Sequence, residues 1–172
     1  MTGERLKLKS KKFKMVNYET LLDEIVSQLS DVSALGVSVV KMPEIESDYN
    51  RPVTSARCLI MYVGSDFGNE LSTNTVIQDE TVNIGIEVAF KKLYGTNGVF
   101  DIINKVNAAL LGFFPSNTTH GLKIKNYSVN TDNLDRGIWR IHLFYYTTTP
   151  SSEAFAVSVG PTLQQITTNQ NI

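Results

Sequence analysis

The chain of 172 residues holds a single cysteine, one tryptophan and two histidines, and each scarcity excludes something. One thiol, Cys58, cannot form an internal disulfide, and a cysteine-based zinc site needs several thiolates. Cys58 therefore reads as a small buried strand residue, because an unpaired cysteine behaves as a compact apolar side chain. No run of about 18 apolar residues is present to span a bilayer, and no apolar block follows the N-terminal basic residues as a secretory signal requires. The protein is expected to be made and kept in a cytosol. His120 and His142 have no sequence-adjacent carboxylate at the spacing of a metal site or an acid–base pair, so both read as structural or solvent-facing. Phosphate-binding loops, nucleophile elbows and dinucleotide fingerprints are missing. Gly95 and Gly98 follow a strand pattern but lack a third glycine and a βαβ context. Asp132 and Asp135 sit in a polar turn with no base or metal ligand beside them and read as solvating residues. No cofactor, no metal and no catalytic set is expected.

What the chain does contain is enough apolar content, 42% hydrophobic against 19% charged, for one globular domain with arms. Its net charge of −1 conceals a polarised distribution. Residues 1–16 carry six basic side chains, Arg5, Lys7, Lys9, Lys11, Lys12 and Lys14, against Glu4, a net of +5. The remaining ten basic and sixteen acidic residues leave −6 on the rest. Such an arm suits an acidic neighbour, DNA, or an acidic patch on a second copy of the chain. Met15, directly before the first helical pattern, is a second candidate start.

Asn17 can cap a helix over about 17–31, with Glu19 in its first turn and Leu21, Leu22, Ile25 and Leu29 at helical spacing. Beyond Gly36 the alternation from Val37 to Met42 predicts a strand. Residues 43–52, bounded by prolines and carrying Glu44, Glu46 and Asp48 at every second position, read as an exposed loop. Arg57–Val63 is apolar on both sides, the pattern of a strand covered on two faces, and 64–74 reads as a turn-rich loop. From Glu80 to Lys91, Val82, Ile84, Ile86, Val88 and Phe90 share one face of a long strand. A second helix carries Val99, Ile102, Ile103, Val106 and Leu110 as a stripe and ends at Gly112. Two strands, about 122–131 and 137–148, form a hairpin, and Pro150 ends the second. A short strand at 154–159 and an uncharged tail follow.

This order predicts an α+β fold, a mostly antiparallel sheet with two amphipathic helices packed on one face. The three parts are a basic arm (1–16), the folded domain (17–150) and a C-terminal extension (151–172). On the last strand of the domain, Trp139, Ile141, Leu143 and Tyr145 share one face, and Arg140, His142, Phe144 and Tyr146 the other. Phe144 and Tyr146 there need a cover, from the chain itself or from another subunit.

The helix ending in Leu110, Gly112, Phe113 and Pro115, followed by a strand starting Gly137, Trp139 and Arg140, resembles the Mu-like phage tail terminator family. That resemblance covers about 17–150. It implies a structural virion protein at the tail–neck junction, assembled in the host cytoplasm: a ring, a hexamer by family likeness, that caps the tail tube, stops its polymerisation and offers a surface to the neck or connector. Implied partners are the chain itself, the tail tube protein, the neck protein and, in contractile tails, the sheath protein, with no membrane and no sequence-specific nucleic acid. The candidate assembly contacts are the arm residues Arg5, Lys7, Lys9, Lys11, Lys12 and Lys14, the acidic Glu44, Glu46 and Asp48, and Arg140, Phe144 and Tyr146. Another neck or tail-completion protein, or the cap of a phage-derived injection particle, is the nearest alternative. A nucleic-acid module fits less well, because the folded body is acidic and its lysines are scattered. An enzyme fits less well again, with no motif to support it.

Overall fold

A computed structural model describes residues 16–49, 56–69, 76–130 and 137–153. The basic arm, the turn holding Asp132 and Asp135, and the strand expected at 154–159 lie outside these residues. The first helix, α1 (Tyr18–Gln28), starts where Asn17 accepts a hydrogen bond from the Thr20 amide at 3.1 Å. The single helix expected to residue 31 is broken at Leu29, and a four-residue turn of helix, α2 (Ser30–Ser33), follows. The amide of Leu29 is shared between the carbonyls of Ile25 and Val26, both at 3.2 Å, so the chain bends while Leu29 and Val32 stay buried.

Five strands form one sheet in the order β1-β2-β3-β5-β4. They are β1 (Ser38–Lys41), β2 (Ala56–Phe67), β3 (Val76–Phe90), β4 (Lys123–Asn130) and β5 (Trp139–Glu153). Every pairing is antiparallel except β1 with β2. Two further short or long helices complete the fold, α3 (Glu46–Tyr49) and α4 (Val99–Leu110). The α+β architecture is the one expected, with a sheet that is mostly antiparallel.

Three further local expectations fail, each for an identifiable reason. The segment 64–67, expected as loop, continues β2, because a register shift between Tyr62 and Gly64 absorbs one residue and the ladder resumes with Gly64 opposite Asn83. The segment 43–52, expected as an exposed loop, contains α3, which brings Tyr49 back onto the sheet. Strand β5 runs through Pro150 to Glu153. A proline is accommodated there because β4 pairs with β5 only as far as Tyr146, leaving that edge of β5 without a neighbouring strand among the described residues.

Both long helices lie on the same side of the sheet. Leu21, Ile25 and Leu29 join Ile102, Val106 and Leu110 in one buried cluster with Cys58, Ile60, Ile84, Ile86, Val88, Leu143 and Tyr145. The two helices are tied by Gln28 Nε2 donating to the Ala109 carbonyl at 3.1 Å. Tyr145 reaches from the sheet to α4, its hydroxyl donating to Asn107 Oδ1 at 2.5 Å. Burial holds its hydroxyl far above the ordinary tyrosine range. After α4 the chain turns at Gly112, whose φ is +80°. Gly121 passes so close that a Cβ there would stand 2.6 Å from the Gly112 carbonyl oxygen. The two backbones are then stitched by Gly112 N to Leu122 O (2.9 Å) and Leu122 N to Phe113 O (2.8 Å). The Leu110-x-Gly112-Phe113-x-Pro115 sequence is thus a turn that seats Leu122 in the core.

Candidate assembly surface

The face of the sheet away from the helices is built by the alternate strand residues. On β3 these are Asn83, Gly85, Glu87 and Ala89, opposite Tyr146, Phe144, His142 and Arg140 of β5 and, on the other side, Gly64, Met61, Leu59 and Arg57 of β2. Glu87 sits near its middle and is 2% exposed. A carboxylate cannot stay ionised there without partners. Arg140 Nη1 donates to Glu87 Oε1 at 2.6 Å, and the Tyr49 hydroxyl donates to Oε2 at 2.9 Å. His142 Nε2 lies 3.3 Å from Oε2, and Arg57 Nη2 lies 4.0 Å from Oε1. Arg140 also donates to the Tyr49 hydroxyl at 2.7 Å. The Tyr49 ring covers both guanidiniums, 5.1 Å from Arg140 and 5.6 Å from Arg57. Burial, and then its bond to the Glu87 carboxylate, raises the Tyr49 hydroxyl above its ordinary range, so it acts as a donor.

One end of the same face is a shallow depression of about 360 Å³ lined by Val63, Asn83, Lys125 and Phe144 among others. Each flanking strand carries a register irregularity there, β2 between Tyr62 and Gly64 and β4 between Ile124 and Asn126. Asn83 spans the gap, donating to Asp66 Oδ2 and accepting from Lys125 Nζ, both at 2.9 Å. Gly85 leaves room beside them: a Cβ there would meet Val63 Cγ2 at 2.9 Å and Met61 Cγ at 3.1 Å. Val63 itself is half exposed.

The expected contact residues are distributed unevenly over this surface. Phe144 and Tyr146 are half-buried on the face away from the helices, as their alternation implied. Arg140 is not a surface residue. It is 6% exposed, and its guanidinium is used within the chain by Glu87 and Tyr49. Glu44 and Glu46 are exposed and Asp48 half-buried, on and beside α3. Arg5, Lys7, Lys9, Lys11, Lys12 and Lys14 lie outside the described residues. Glu87, Arg57 and Tyr49 were not singled out by sequence reasoning, although a glutamate inside the apolar run of β3 was a usable signal, since a buried carboxylate requires cationic neighbours. His142 has no sequence-adjacent carboxylate, but Glu87 stands directly across from it in the β3–β5 register. His120 is exposed and bonds to Thr148 Oγ1 across the 115–121 turn.

Beyond this face, apolar side chains are exposed at both edges of the sheet. Val40 and Met42 lie in and just after β1, with Ile45 next to α3, and Tyr127 and Val129 lie on β4. Neither β1 nor β4 has a further strand beside it among the described residues. Among the described residues no group of three or more His, Cys, Asp or Glu could hold a metal ion, and no helix is long and apolar enough to cross a membrane.

A family described as Gp37 protein matches residues 25–170. The match takes in all five strands and the C-terminal segment and leaves out the basic arm. No curated protein sequence matches the chain. Among solved structures, one chain of a structure titled "Virion of native gene transfer agent (GTA) particle" is similar over its whole length, covering 80% of this chain with a TM-score of 0.53 at 13% identity. At that identity the likeness is one of fold.

Proposed function

The chain belongs to the Gp37 family, and from that premise we propose that it is a structural protein of a phage-type particle, one that closes the tail tube as a ring. The ring, a hexamer by resemblance to tail terminators, occupies the growing end of the tube, arrests its polymerisation and presents its other side to the neck. In a contractile tail the same ring meets the last sheath protein. The role is one of occupancy and involves no turnover. A whole component chain of a virion particle sharing this fold supports the coarser part of the reading.

The observation that carries the ring is the difference between the two sheet edges. The β1 edge offers Val40, Met42 and Ile45 beside the exposed Glu44, while the β4 edge offers Tyr127 and Val129 beside the exposed Lys123, with no acidic residue on β4. Strand order places these two surfaces at opposite ends of the sheet. Two unlike, complementary surfaces on one molecule associate head to tail, and such an interface closes into a ring when its rotation permits. Exposed apolar residues at a strand edge supply the contact, and opposite charge supplies the register.

Two measurements test this. Light scattering at micromolar concentration should give a discrete closed oligomer, alone or on isolated tails, and a chain that stays monomeric in both settings contradicts the ring. Particles made without the gene should carry tails of uncontrolled length or tails that never join heads. Head-joined tails of normal length would exclude the capping role.

A further inference from the structure

The charge cluster around Glu87 is unbalanced in a way that the ring does not use. Among these three side chains, Arg57 and Arg140 against Glu87 make +1, before any charge on His142. The hydrogen bonding is unbalanced too. Arg57 Nε, Arg57 Nη2 and Arg140 Nε are buried atoms without a hydrogen-bond partner. Arg140 is more than nine-tenths buried, and Arg57 has only 11% of its side chain exposed. Unpaired donors of this kind are rare in native proteins, and those that occur call for a bound water, an ion or another explanation. Nε and Nη2 of one arginine form the side-on edge of the guanidinium fork, the geometry that takes two oxygens of one oxyanion.

We propose that the Arg57 Nε/Nη2 edge is the seat of one carboxylate, held beneath the Tyr49 ring. The charge count selects the ligand. A monoanion neutralises the excess of +1, whereas a phosphate dianion would reverse it. The four-residue α3 is the cover, because Tyr49 lies over both guanidiniums and is anchored to Glu87. A carboxylate enters when that turn lifts. Its source is either a free small acid or an acidic side chain of a neighbouring copy, and the chemistry at the seat is the same for both.

The test uses the full chain with acetate as probe, compared with chloride at equal ionic strength, reading melting temperature and particle size together. The expected result is a saturable rise in melting temperature specific to acetate, absent in Arg57→Gln and larger in Glu87→Gln, where the excess grows to +2. A wild-type particle size that is unchanged assigns the seat to a free acid. A size that falls as acetate is added assigns it to a neighbour's carboxylate, and Arg57→Gln should then be small without acetate. Identical melting and size in acetate and chloride for the wild type would mean that the donors face only water, and would overturn the proposal. Arg57→Lys, which keeps the charge beside Glu87 and loses the side-on edge, should fold and lose the acetate response; a full response in that variant would also overturn the proposal.

Discussion

Replacing Glu87 by glutamine keeps the shape of the side chain and removes its charge, which isolates the electrostatic role of a residue only 2% exposed. In the native chain Arg140 lies 2.6 Å and Arg57 4.0 Å from the same carboxylate oxygen. At an effective dielectric of about 20 these are gross attractions of about 6 and about 4 kcal/mol. Each ion, however, loses several kcal/mol of hydration on burial, so the pairs contribute far less net stability than the attractions suggest. Deleting one partner does not reverse both sides of that balance: the arginines remain buried and lose the charge that offset their desolvation. The expected cost is about 3–5 kcal/mol, the range for breaking a buried pair from one side. With a urea dependence of about 2 kcal/mol per molar, the midpoint of unfolding should fall by about 1.5–2.5 M. Equilibrium urea unfolding followed by Trp139 fluorescence measures it, run in chloride buffer so that no carboxylate substitutes for the lost one. A midpoint within about 0.3 M of the wild type, with an unchanged slope, would show that the arginines are solvated or rearrange freely and that the Glu87 charge does not hold them.

Leu110, the last residue of α4, is fully buried in the core, so Leu110→Ala should cost about 2–5 kcal/mol and lower melting temperature and solubility together; unchanged stability with lost tail binding would instead make it an interface residue. The Tyr18 hydroxyl donates to Glu80 Oε1 at 2.6 Å, and that bond, with burial second, raises its pKa to about 12. A raised folded pKa means stability that is complete below about pH 10 and lost as pH climbs towards 12. The rise is worth at most about 2.7 kcal/mol, and because Tyr18 is 36% exposed, screening reduces it to about 1 kcal/mol. Tyr18→Phe should therefore flatten the alkaline decline between those pH values, whereas parallel curves for the two proteins would disprove the coupling. Cys58 is fully buried and its thiol is pushed up to about 12 by that burial, so labelling by a thiol reagent at pH 8 should proceed only at the rate of opening, and fast labelling of native protein would contradict the core assignment. Removing residues 1–14 should weaken assembly most at low salt, as expected of a basic arm docked on an acidic neighbour; a truncated chain that completes tails equally well at every salt concentration would remove the arm from the mechanism.

The local chemistry of the sequence was sufficient for the helix-facing half of this protein. The stripes Leu21, Ile25, Leu29 and Ile102, Val106, Leu110, and the alternation from Val82 to Phe90, each record in one short window which side is buried, because helical and extended backbones repeat every 3.6 and every two residues. From those periods the α+β class and the shared helix face followed, and the burial of Cys58 followed from the apolar behaviour of an unpaired thiol. The other half was decided by strand order and register, which depend on contacts between residues far apart in the chain. No local pattern marks β1 as parallel to β2, or carries β2 past Val63 and β5 past Pro150, since a ladder continues wherever a neighbouring strand supplies its hydrogen bonds. Nor does any sequence neighbour announce that Glu87 will face His142, accept from Arg140 and lie under Tyr49, 38 residues away. A buried carboxylate states only that cations must come; which ones arrive, and which of their donors are left unpaired, is settled when the sheet assembles and water is excluded from that face.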